Sequence, residues 1–128
     1  VELKEKKDRV DDAIHATKAA IKEGIVPGGG VALMNAAKSV DNESDGTDIF
    51  LSAIQYPYKK ILDNAGMDEK DGLDVGHGIN VVTGKTVHMI EEGIIDPLLV
   101  TKSALKNAVS VASTILSTDC VISNMREE

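Results

Sequence analysis

The 128 residues carry a formal charge of −7 and 42% apolar side chains, but only Phe50, Tyr56 and Tyr58 are aromatic. The acidic balance and the scarcity of stacking rings exclude a nucleic-acid partner, and no run of about 18 apolar residues is present to span a membrane. The single cysteine, Cys120, excludes a disulfide framework and a cysteine-based zinc site, and within Cys120-Val121-Ile122 it reads as a buried structural thiol.

From Leu3 to Glu23 the pattern is helical, with Leu3, Val10, Ile14, Thr17 and Ile21 forming a narrow apolar seam and Gly24 as its stop. Asp12 lies two residues from both Val10 and Ile14, so it points about 200° from that seam. Its own stripe continues through Ala16, Ala19 and Ala20, side chains small enough to admit a close neighbour. The chain begins at Val1 without an initiator Met, as expected of a segment from a longer polypeptide.

Ile25 to Pro27 leads into Gly28-Gly29-Gly30, and Val31 to Val40 follows as a second helix. Asp41 to Asp48 reads as a surface loop. Helical periodicity returns from Ile49 to Ala65, and Pro57 predicts a kink or two abutting helices. Met67 to Gly78 reads as an acidic, glycine-rich loop, and Ile79 to Ile90 as a hairpin turning at Thr83-Gly84-Lys85. Asp96-Pro97 predicts a helix start, with Asp96 as N-cap and Pro97 in the first turn, running to about Ser117. Asp119 to Ser123 reads as a final strand. The fold class is mainly α with minor β.

Few constellations carry chemistry by themselves. Three glycines before a helix allow close backbone approach and favour an anion, yet they are also an ordinary turn. Neither a Walker A loop nor a dinucleotide fingerprint is present. Asp11 and His15 stand one helical turn apart and read as a surface pair, while Asp12, Asn80 and Asp96 read as a solvated acid, a hairpin residue and a helix cap. His77 and His88 are too far apart in the pattern to mark a metal site, and no metal ligands are assigned. On residue types and spacing alone the chain is an acidic, mostly helical domain with a glycine loop.

Five ordered blocks carry a resemblance. They are Arg9 to Ala20, Glu23 to Gly30, Gly78-Ile79-Asn80, Glu92 to Pro97, and Thr101-Lys102-Ser103-Ala104-Leu105. Together they closely resemble the group I, GroEL-like chaperonins across nearly the whole chain. The resemblance implies a chaperonin equatorial-domain fragment: residues 1–23 as an intermediate-domain segment, and residues 24–128 as the C-terminal half of the equatorial ATP-binding domain. It implies an ATPase subunit of a ring-shaped oligomer that assists protein folding, with ATP and Mg2+ as cofactors. Its partners would be related subunits, a co-chaperonin and unfolded clients. By this resemblance Asp12 matches the catalytic acid, and Gly28, Gly29 and Gly30 match the loop against the nucleotide. Asn80, Val81 and Ile94 match the base contacts, and Asp96 matches the ribose carboxylate.

The sequence departs from the family pattern in places. Ile79-Asn80-Val81-Val82 stands where an aromatic-Asn-Ala-Ala stretch is usual, and the 41–48 and 67–78 regions are shorter than usual. Tyr56-Pro57, Thr83-Gly84-Lys85 and Ser117 to Val121 look closer to plastid-type members, which implies the plastid stroma, with the mitochondrial matrix or bacterial cytoplasm as alternatives. The family's Gly-Asp-Gly-Thr-Thr phosphate and metal loop is not found in these residues, so the segment alone is expected not to hydrolyse ATP. The competing reading is a non-catalytic assembly module that retains the fold.

Overall fold

The first helix, α1 (Glu2–Glu23), ends as its sequence dictates: Gly24 adopts φ +88° and its N–H donates to the Ala20 carbonyl at 2.8 Å. The computed structural model describes residues 2–70 and 72–123. After Gly24 come β1 (Ile25–Pro27), α2 (Val31–Lys38), α3 (Asp45–Asn64), β2 (His77–Asn80), β3 (Lys85–His88), β4 (Ile95–Pro97) and α4 (Leu98–Leu116). The class is therefore mainly α with two small two-stranded sheets.

Strand β1 pairs antiparallel with β4, setting Val26 opposite Asp96. The ladder continues past both ends, because the Gly28 N–H donates to the Ile94 carbonyl at 2.9 Å and the Leu98 N–H to the Gly24 carbonyl at 3.0 Å. This ribbon was not expected from the sequence. Three-residue strands, each with a proline, give little periodic signal, and only the tertiary pairing makes them strands. The ribbon also corrects the reading of Asp96, which is a strand residue. Pro97 takes the N-cap position of α4, with no side-chain capping bond.

The second sheet is the expected hairpin, with β2 and β3 in register His77↔His88 to Asn80↔Lys85. The Asn80 side-chain oxygen accepts from the N–H groups of Val82 at 3.0 Å and Thr83 at 3.3 Å, which fixes the turn.

Four further expectations are corrected. The 41–48 loop is shorter than expected, because α3 begins at Asp45. Ser44 caps it by accepting from the Thr47 N–H at 3.2 Å, while Asp45 and Asp48 lie in the first turn, where the helix dipole favours acids. Pro57 does not divide α3, which runs as one helix through it. Residues 119–123 form no strand and join neither sheet among the described residues, and Cys120 is exposed rather than buried.

The main core gathers Val31, Met34, Tyr58, Leu62, Ile79 and Met89, so α2, α3 and the hairpin share it. A smaller cluster, Ala37, Leu51 and Ile54, joins α2 to α3 under Leu105 of α4. Neither α1 nor α4 buries a residue fully. The apolar seam of α1 is exposed in this chain, Leu3 and Ile21 almost completely.

Candidate functional site

A cleft of about 440 Å³ opens between the glycine turn, the hairpin and α3. That size suits a small-molecule ligand. The glycine turn contributes Gly29, the hairpin turn contributes Asn80 to Thr83, and Met89 and Ile94 close the far side. Tyr58, Ile61 and Leu62 of α3 form the remaining wall. Four residues singled out in the sequence, Gly29, Asn80, Val81 and Ile94, thus meet in one place although they span more than sixty positions of the chain.

The other two glycines have different reasons to be glycine. A Cβ on Gly28 would stand 3.1 Å from the backbone of Ile94 and Ile95. A Cβ on Gly30 would stand 2.7 Å from the Tyr58 backbone nitrogen. These two residues let the turn press against β4 and α3, while Gly29 alone faces the cleft.

Asp96 follows Ile94 by two positions but lies in β4, and it lines the neighbouring clefts rather than the one that Ile94 lines. Its carboxylate is exposed and makes no hydrogen bond or ion pair among the described residues. Asp96 lines a smaller cleft, about 170 Å³, together with Ala16, Thr17 and Ala20 of α1 and with Ile25, Ile95 and Pro97. The small-sided stripe of α1 therefore packs over β4, as its composition allowed. Asp12 stands one turn before Ala16 on that stripe, exposed and without an ionic partner among the described residues. Asp11 and His15 form no ion pair there either. An ion pair between Glu23 and Lys102 ties the C-terminal end of α1 to α4.

Tyr58 was not singled out by sequence reasoning, because a tyrosine at a helical core position carries no separate signal. It is 2% exposed, and its hydroxyl is buried without a hydrogen-bond partner. Burial pushes the phenol above its ordinary value of 10.0, opposed by the neighbouring Ile79 backbone. A raised value in the folded state means that this group's contribution to stability is intact below pH 10 and falls as pH rises through that value. Tyr58→Phe removes a buried, unpaired hydroxyl, so neutral-pH stability is expected to hold or rise by about 1 kcal/mol. Alkaline unfolding should shift to higher pH; thermal melts at pH 7 and above pH 10 check both expectations.

The TCP-1/cpn60 chaperonin family model matches residues 1–126. The chain belongs to this family. A solved group III chaperonin in the open state is similar to it, with a TM-score of 0.72 and 28% sequence identity over 81% of this chain. The match covers 25% of that chaperonin, so the segment spans about a quarter of its length. The mainly helical arrangement is thus that of a chaperonin equatorial-domain fragment. Within it, the chaperonin segment presents the cleft at Ile94, and the α1 stripe meets β4 at Ile95, Asp96 and Pro97.

Proposed function

We propose that the protein is an ATP-dependent chaperonin subunit, and that the Gly29–Asn80–Val81–Ile94 cleft receives the adenine end of the nucleotide. The observation that carries this reading is the convergence of those four residues on one apolar cleft, with the exposed Asp96 two residues beyond Ile94, where it lines the neighbouring clefts. Apolar walls suit the faces of a base, and an unpaired acid suits a ribose hydroxyl donor. Asp12 would act on the phosphate side as a general base or water-positioning acid, carried by a helix hinged at Gly24.

Mg2+ and the phosphates would be held by the part of the polypeptide beyond this segment, so the 128 residues alone would bind nucleotide weakly and not turn it over. Phosphoryl transfer needs the metal clamp as well as the acid. The ordered blocks favour a group I subunit of plastid type, working in the stroma with related subunits, a co-chaperonin and unfolded clients. Residues 1–23 would be the intermediate-domain segment and 24–128 the equatorial half. The broad apolar groove between α3 and α4, lined by Leu33, Phe50, Ala104 and Ala108 among others, would be covered by the remainder of the subunit.

The ribose assignment has a direct test in the complete polypeptide. Asp96 caps no helix, so Asp96→Ala should leave folding intact while weakening ATP binding by about 1.5–3 kcal/mol, roughly 10- to 100-fold. Unchanged affinity in a calorimetric titration would remove Asp96 from the site.

A further inference from the structure

We infer that His77 and His88 form a two-histidine site for a borderline divalent cation such as Zn2+, at the base of the β2–β3 hairpin. The two residues are directly paired across the ladder. Their ring centres lie 5.1 Å apart with the planes at 79°. Two imidazoles that bind one ion through nitrogens at about 2.0–2.1 Å, with a tetrahedral angle between them, also have ring centres about 5 Å apart. The spacing therefore already matches a shared ion.

The Nδ1 of each ring has a neighbour within the chain, which leaves the Nε2 of each as the atom for the ion. His77 Nδ1 lies 3.4 Å from the Val75 carbonyl, which would accept from the tautomer that carries its proton on Nδ1 and its lone pair on Nε2. His88 Nδ1 accepts from the Glu91 N–H at 3.4 Å, which places its proton on Nε2 in the empty site. Binding an ion there moves that proton to Nδ1, with no net proton released. The Glu91 carboxylate lies 3.9 Å from His88 Nδ1, beyond hydrogen-bond distance, and would accept that proton after a change of its rotamer. It would then complete the carboxylate–histidine–metal arrangement that raises ligand basicity, in place of the contact from the Glu91 N–H.

Access is also provided. The His88 side chain is 33% exposed. Gly76 leaves open the space before His88 Nε2, since a Cβ there would stand 3.1 Å from that nitrogen. No cluster of three or more ligating side chains occurs among the described residues, so water would complete the coordination sphere. An ion bridging the two strands would brace the hairpin whose turn carries Asn80 and Val81. The inference does not rest on the nucleotide reading.

The test is calorimetric titration of the complete polypeptide with Zn2+ in saturating Mg2+, which occupies sites of oxygen ligands. The wild type should bind one more saturable equivalent per chain than the His77→Gln/His88→Gln double variant. Either single variant should weaken that equivalent more than about tenfold, and Glu91→Gln by about tenfold. Peptide mass spectrometry after diethyl pyrocarbonate treatment gives a readout on the unaltered protein. Zn2+ should protect His77 and His88 while His15, exposed on α1, stays reactive. No excess equivalent over the double variant, or equal reactivity of all three histidines with Zn2+ present, would reduce the pair to edge-to-face packing and overturn the site.

Discussion

Replacing Gly30 with alanine is expected to destabilise the protein by roughly 2–5 kcal/mol, as two separate penalties add. Gly30 holds φ +81°, a conformation that side chains strain to adopt. Its missing Cβ would also stand 2.7 Å from the Tyr58 nitrogen and 3.0 Å from its Cα. Both obstacles are backbone atoms in the middle of α3, so relief requires α3 and the glycine turn to separate. That separation would open the main core at Val31 and Tyr58, each almost fully buried. Gly66→Ala provides the control. Gly66 has φ +67° but nothing within 4 Å of a new Cβ, so only the conformational penalty of about 1 kcal/mol remains. Chemical denaturation of the two variants separates crowding from strain. Equal losses would show that the approach of the glycine turn to α3 contributes nothing.

The same turn shows how far the sequence could be read. Three glycines before a helix were legible as a close approach, but to what was not. The partners of Gly28 and Gly30 lie in β4 and α3, distant in sequence, and only the fold brings them there. The helices with a strong apolar period, α1, α3 and α4, were legible because amphipathicity is local information. The β1–β4 ribbon was not, since each strand is three residues long and includes a proline. Its discovery moved Asp96 from a helix cap to a strand, where its carboxylate is free to meet a ligand.

Register explains a second gap. His77 and His88 are eleven positions apart and look unrelated in a linear pattern, yet the hairpin sets them opposite one another. The resemblance to chaperonins named Gly28, Gly29, Gly30, Asn80, Val81, Ile94 and Asp96 together; the fold gathers Gly29, Asn80, Val81 and Ile94 around one cleft, whereas Gly28, Gly30 and Asp96 do not line it. It gave no hint of Tyr58, whose ring fills the space between the glycine turn and β2. The strand expected at Asp119 to Ser123 fails for a related reason. A strand is a property of a pair, and Val121 and Ile122 lie exposed and outside both sheets of the described residues.

Asp12 holds the largest expected effect and the account's central claim. It is exposed, forms no ion pair among the described residues and stands on the α1 stripe that packs over β4, so folding makes no evident use of its charge. Removing a general base or water-positioning acid from such a site is expected to slow turnover by a factor of about 10²–10⁴. Binding should be nearly unaffected, because the acid acts on the attacking water and not on the base or ribose. The decisive measurement compares ATP affinity with single-turnover hydrolysis for the wild-type and Asp12→Ala forms of the complete polypeptide, with Mg2+ present. An unchanged dissociation constant and almost no hydrolysis are expected in the variant. Turnover at the wild-type rate, with affinity equally unchanged, would remove Asp12 from the catalytic machinery and leave hydrolysis to other groups of the polypeptide.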